Sequence, residues 1–199
     1  MPGITVLAGT TVVIPLDDVD TDRIIPARFL SRIARSGYGE LLFADSRGPE
    51  FPIDAPEAKG ASVLVTGTNF GCGSSREHAV WAIQQAGYKA VVAKTTDAAP
   101  GFSDIFRQNA ANCGLLLVEL KARDHEPLTA LGSGAQVAID LPAQTVTYAG
   151  HRANFEINAA TKGTLLEGLD LIGTTLRYED DIARYESKLP EYVNPGAGR

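Results

Sequence analysis

Between Ser62 and Leu120 the chain alternates short β-branched runs with amphipathic stretches, and this alternation restricts the fold more than any other feature. Ser62–Thr66 reads as a short buried strand, and Ser74–Ala86 has helical periodicity through Ala79, Val80, Ile83 and Ala86. Gly87 stands where a C-terminal cap glycine belongs. Ala90–Ala93 predicts a second strand. Phe102–Cys113 predicts a second helix, with Phe102, Ile105, Phe106, Asn109 and Cys113 near one face and Gly114 closing it. Leu115–Leu120 predicts a third strand. Strand–helix–strand–helix–strand requires right-handed crossovers and a parallel core.

The flanks add β structure. Ile4–Leu16, rich in Val, Ile and Thr, predicts a strand, a turn at Gly9 and a second strand. Gln136–Leu141 and Thr145–Tyr148 predict hairpin strands around Pro142, and His151–Ile157 a further one. Leu165–Leu171 and Asp180–Leu189 predict helices. The expected class is α/β, a parallel strand–helix core with an added β layer. Residues Ala34–Gly60 sustain no period and predict an irregular or mobile excursion, and Pro190–Arg199 predicts a frayed, flexible tail. No repeat or linker divides the chain, so a single domain is expected over residues 1–199.

Charge and composition narrow the function. Eighteen Lys and Arg against 24 Asp and Glu leave a net charge of −6. That balance disfavours a phosphate-backbone partner. The longest apolar runs, such as Cys113–Val118, fall far short of the roughly 18–20 residues that span a bilayer. The opening Met-Pro-Gly-Ile-Thr-Val has neither a charged n-region nor an apolar h-region. A cytoplasmic protein with Cys72 and Cys113 as reduced thiols is therefore expected. His78, His125 and His151 lie far apart, and the two cysteines form no CxxC pair. A zinc site or an iron–sulfur cluster needs more ligands at closer spacing, so any metal is expected mostly on another chain.

One junction stands out chemically. Thr68–Ala79 (Thr-Asn-Phe-Gly-Cys-Gly-Ser-Ser-Arg-Glu-His-Ala) joins a buried strand to an amphipathic helix, where open α/β sheets bind ligands. Gly71 and Gly73 let the backbone approach a ligand, the helix N-terminus adds donors and positive potential, and Arg76 adds a fork suited to a carboxylate. A small anion is expected here. The dinucleotide fingerprint, the P-loop and the Gly-x-Ser-x-Gly elbow all fail to match. Ser74 with Glu77 also fits the capping box Ser-x-x-Glu, so spacing alone leaves both capping and catalysis open for Ser74. Cys72 lacks a neighbouring base and reads as a packed residue, and His78 as a packing or supporting one. Asp17–Asp22 predicts a carboxylate-rich loop, solvated or facing a site, and Arg28, Arg32 and Arg35 an exposed helix face.

Four blocks resemble one family. They are Val19–Leu30 (Val-Asp-Thr-Asp-Arg-Ile-Ile-Pro-Ala-Arg-Phe-Leu), Asn69–Ala79, Phe102–Asn109 (Phe-Ser-Asp-Ile-Phe-Arg-Gln-Asn) and Gly168–Leu176 (Gly-Leu-Asp-Leu-Ile-Gly-Thr-Thr-Leu). In this order they resemble the 3-isopropylmalate dehydratase small-subunit family of the aconitase superfamily, over nearly the whole chain. The resemblance implies a swivelling β/β/α domain and a separate large subunit carrying a 4Fe–4S cluster. It also implies a hydro-lyase that moves a hydroxyl between adjacent carbons of a small dicarboxylic acid in leucine biosynthesis. By similarity Ser74 is the base that takes the carbon-bound proton, and Ser75 and Arg76 bind a substrate carboxylate beside Gly73. Asp22 then pairs with a catalytic histidine on the partner, and Arg28 and Arg35 shape the substrate end. Lys94–Gly101 is longer than the family pattern, and Thr161-Lys162-Gly163-Thr164 stands where an arginine pair is common. The alternatives are a paralogue acting on citraconate, dimethylmalate or homoaconitate-type acids, a non-catalytic anion-binding module, and a cysteine enzyme using Cys72.

Overall fold

The computed structural model describes residues 3–32 and 34–190. Among these, the strands β1 (Val6–Ile14), β2 (Val63–Thr66), β3 (Ala90–Thr95), β4 (Leu116–Lys121), β5 (Gln136–Asp140), β6 (Thr145–Tyr148) and β7 (His151–Asn154) form one sheet. Their order is β4-β3-β2-β1-β5-β6-β7. The helices are α1 (Thr21–Ile24), α2 (Glu77–Gln85), α3 (Asp104–Cys113), α4 (Ala122–Ala130), α5 (Ala159–Glu167), α6 (Leu171–Leu176) and α7 (Glu179–Glu186). Of the expected flexible tail, residues 191–199 lie outside the described residues. No helix among the described residues is long and apolar enough to cross a membrane.

The expected parallel core is present: β1 to β4 pair parallel, with α2 between β2 and β3 and α3 between β3 and β4. The added β structure continues the same sheet, because β1 belongs to two ladders. Its residues Thr11–Ile14 pair with β2, and Val6–Thr10 pair antiparallel with β5. Strand β1 is thus continuous, without the turn expected at Gly9. A Cβ there would lie 1.9 Å from Ser62 Oγ, so Gly9 permits close approach of two segments rather than a reversal.

Alternation along the buried strands divides the apolar residues between two cores. Leu64, Val91 and Ala93 face α2 and α3, while Val63, Val65, Ala90 and Val92 face the side covered by Leu128 of α4 and Leu165 of α5. Burial on both faces explains the nearly unbroken apolar runs that marked these strands. The 34–60 stretch has an irregular backbone with 3-10 turns at Gly39–Leu41, Pro52–Asp54 and Pro56–Ala58. Tyr38, Leu42 and Phe43 are fully buried in the first core, so the excursion is fastened along its first half.

Several helix boundaries differ from the periodicity. Helix α2 begins at Glu77, three residues after Ser74. The helix expected over Leu165–Leu171 is two helices, because Gly168 adopts the left-handed conformation and ends α5, and Asp170 caps α6. Helix α4 occupies a stretch with Pro127 inside it and only His125 and Leu128 buried, too sparse a pattern to signal a helix. Ser103 caps α3 through Phe106 N, and Gly114 closes it as expected. The Asp17–Asp22 loop ends in the single turn of α1, whose cap is Asp20.

Candidate active site

Parallel strands deliver their following loops to one edge of the sheet. Three such loops are laced together by backbone hydrogen bonds. Between the β1 and β2 loops, Asp18 N donates to Thr68 O (3.0 Å), Gly71 N to Val19 O (2.7 Å) and Thr21 N to Cys72 O (2.9 Å). The β3 loop joins through Asn69 N to Pro100 O (2.7 Å) and Phe70 N to Gly101 O (2.9 Å). Side chains reinforce the lacing: Asp17 accepts from Thr68 N and Oγ1 at 2.6 and 2.9 Å, and Asp18 from Asn69 Nδ2 at 2.7 Å. Those donors hold the Asp17 carboxyl below its ordinary pKa. The carboxylates at 17 and 18 therefore tie loops together.

The turn itself bends at Gly71 and Gly73, with φ of +75° and +88°. At Gly71 a side chain would also lie 2.3 Å from the Phe106 ring. Gly71→Ala is expected to cost about 3 kcal/mol through strain and overpacking, or roughly 10 °C in Tm for a chain of this length. Calorimetry measures it, and an unchanged Tm contradicts this packing.

Beyond the glycines, residues 74–76 cross the N-terminal end of α2 in a non-helical path. Arg76 occupies the N-cap position with extended dihedrals and makes no side-chain cap bond. The Ser74–Glu77 capping box therefore does not form. Ser74 instead has its carbonyl held by Thr21 Oγ1 at 2.9 Å, and its hydroxyl is exposed with no hydrogen bond among the described residues. Ser75 is also exposed, and its Oγ accepts from Asn109 Nδ2 of α3 at 3.2 Å. The Arg76 guanidinium is paired with the Asp22 carboxylate, 54 positions away.

That pair sets the local charge. Hydrogen bonding from Arg76 lowers the Asp22 pKa. Because the folded value is lowered, the pair's small contribution is present above the ordinary carboxylate value and lost as pH falls through the lowered one. A carboxyl-carbon NMR titration is expected to place the Asp22 midpoint below 3.8 and to move it upward in Arg76→Gln. An unmoved midpoint contradicts the pairing.

Of the residues expected at the site, Asp22, Gly73, Ser74, Ser75 and Arg76 come together. Arg28 and Arg35 are engaged elsewhere. Arg28 pairs with Asp45 and lies over the Phe29 ring, and Arg35 lies over the Trp81 ring, 5.4 Å from its centroid. His78 packs against Tyr38 and Trp81, with ring centroids 5.4 and 4.7 Å away. The Cys72 thiol is half-buried, and burial together with Asp20 and Asp18 raises its pKa, the wrong direction for a nucleophile. Thr21, Ser103 and Asn109 were not expected at the site. Asn109 carried a signal, a polar residue on an otherwise apolar helix face.

No three His, Cys, Asp or Glu side chains among the described residues converge to hold a metal ion. The donors of the described residues therefore do not fit an iron–sulfur cluster.

The chain as a whole is similar to known proteins. Residues 1–123 match the family model described as the aconitase C-terminal domain. A 3-isopropylmalate dehydratase small subunit of Bacillus cereus is 42% identical over 191 residues, covering 92% of this chain and 96% of that protein. Small subunits of the same name from Roseiflexus castenholzii and Rubrobacter xylanophilus are 45% and 46% identical, covering 97% and 93% of this chain and 97% and 94% of their own lengths. The crystal structure of a 3-isopropylmalate dehydratase from Methanocaldococcus jannaschii superposes with a TM-score of 0.68 at 30% identity, covering 90% of this chain and 99% of that one.

Proposed function

The chain belongs to the aconitase C-terminal domain family as one of its 3-isopropylmalate dehydratase small subunits, and on that premise we propose that the Gly71–Arg76 turn is its half of a hydro-lyase active site. The other half, with the iron–sulfur cluster, belongs to a large subunit. The reaction interconverts 2-isopropylmalate and 3-isopropylmalate by dehydration and rehydration. One observation carries the reading. Exposed Asp22, Ser74 and Ser75, from two loops distant in sequence, meet beside the largely buried Arg76 side chain, and the Ser74 hydroxyl makes no hydrogen bond among the described residues.

Each side chain then has a role that its surroundings support. Ser74 removes the proton from the carbon next to a carboxylate. Serine is normally a weak base, and the α2 N-terminus and Arg76 together favour negative charge at its oxygen. Ser75 and Arg76 bind the carboxylate, where charge builds up as the proton leaves. The guanidinium carries five N–H donors, so it can hold Asp22 and a substrate oxygen together. Asp22, half-exposed beside it, faces the partner and orients a histidine there for proton delivery. Gly73 keeps the backbone low enough for the substrate to approach.

The two departures from the family pattern have structural explanations. Lys162 Nζ donates to Pro142 O and Gln144 Oε1 at 2.8 and 2.9 Å, tying α5 to the β5–β6 connection. The lengthened β3 loop closes on itself through Ala99 N to Thr96 Oγ1 at 3.0 Å. Neither supplies a side chain to the Gly71–Arg76 turn, the β3 loop meeting the residues before it through the Pro100 and Gly101 carbonyls, and the isopropylmalate reading rests on the small-subunit relatives. A substrate panel on the reconstituted two-subunit enzyme tests this. Isopropylmalate is expected to exceed citraconate, dimethylmalate and homoaconitate-type acids in kcat/KM by about tenfold or more. A preference for one of the others overturns the substrate assignment, and no turnover of any diacid overturns the enzymatic reading.

A further inference from the structure

Asn109 is 7% exposed and lies on one stripe of α3 with Ser103 and Phe106, six and three residues earlier. This stripe holds the active-site turn from beneath. Ser103 Oγ donates to Gly71 O at 2.6 Å, and the Phe106 ring occupies the space a side chain at Gly71 would need. At the far end Asn109 Nδ2 donates to Ser75 Oγ at 3.2 Å. A buried amide costs desolvation unless it is paired, and this one is directed at a hydroxyl on the exposed side of the turn.

Resting on the reading of Ser75 as a carboxylate binder, we propose that Asn109 is a positioning residue that fixes the direction of the Ser75 hydroxyl. A hydroxyl has one proton and two acceptor positions. With the Asn109 N–H donating to the oxygen, the Ser75 proton is left free to point outward, as an anionic ligand requires. The direction is set before substrate arrives, so ordering it costs nothing at binding. An accepting group at position 109 would reverse this, drawing the Ser75 proton inward and turning lone pairs toward the substrate carboxylate.

Asn109→Asp keeps the shape and reverses the hydrogen bond. In the reconstituted enzyme it is expected to raise KM for isopropylmalate about tenfold or more while changing kcat less than about threefold. In a Ser75→Ala background the same change is expected to add less than about twofold. A role in packing alone would add its full penalty in both backgrounds, so this cycle separates the two. Equal penalties in the two backgrounds, or no penalty in either, overturn the proposal. Should Asn109→Asp fail to fold, Asn109→Ala runs through the same cycle and is read the same way. An inactive wild-type complex overturns the functional reading and this proposal with it. An active one with additive penalties overturns the role of Asn109 alone.

Discussion

Ser74→Ala, assayed in the reconstituted two-subunit enzyme, is expected to lower kcat about 1,000-fold, roughly 4 kcal/mol of barrier. KM and affinity for the large subunit are expected to stay within about threefold. The separation follows from how Ser74 is held. Its backbone carbonyl is fastened by Thr21 Oγ1, while its side chain is exposed and its hydroxyl serves no cap and makes no hydrogen bond among the described residues. On the proposed role, deleting the hydroxyl takes a proton acceptor from the reaction and no hydrogen bond among the described residues from the fold, so Tm should move by no more than about 2 °C. Cys72→Ala gives the contrast. Its thiol is half-buried between acidic neighbours that resist ionisation, and kcat is expected to change less than about twofold. A Cys72 variant as damaged as the Ser74 variant would point to thiol chemistry instead.

The second large effect is expected at Arg76. Arg76→Lys should lower kcat/KM about 100-fold, mostly through KM. In the role proposed for it, the side chain meets Asp22 and a substrate carboxylate together. A planar fork can do so, and a single ammonium on a flexible stem cannot hold both in fixed geometry. Because the Arg76 side chain makes no cap bond to α2, the helix should keep its stability in the variant. Steady-state kinetics with a melting curve decides the point, and a lysine variant within threefold of wild type contradicts the assignment.

The parallel core was legible because each of its segments obeys one strong local rule. Strands buried on both faces are short apolar runs, and the helices that cover them repeat their apolar residues at helical spacing. The site was legible as a candidate for a similar reason, since two glycines and a serine pair stood between such a strand and such a helix. Residues governed by their neighbours in space were not legible. The Ser74–Glu77 spacing fits a cap, yet two left-handed glycines and the Thr21 hydroxyl hold Ser74 outside the helix. Gly9 looked like a turn, and its reason is a Ser62 side chain on the neighbouring segment. The meeting of Asp22 with Arg76 follows only once β1 and β2 are known to lie side by side in parallel. Asn109 sat in plain view on its helix face, but its partner on another loop could not be read from spacing.

The most direct measurement is complementation. The purified chain, a purified large subunit of the family, and mixtures of the two are assayed for formation of the unsaturated diacid from isopropylmalate. Neither subunit alone should turn over, and activity should rise and saturate as this chain is titrated into a fixed amount of the large subunit. Steady turnover by this chain alone would contradict a site divided between two polypeptides.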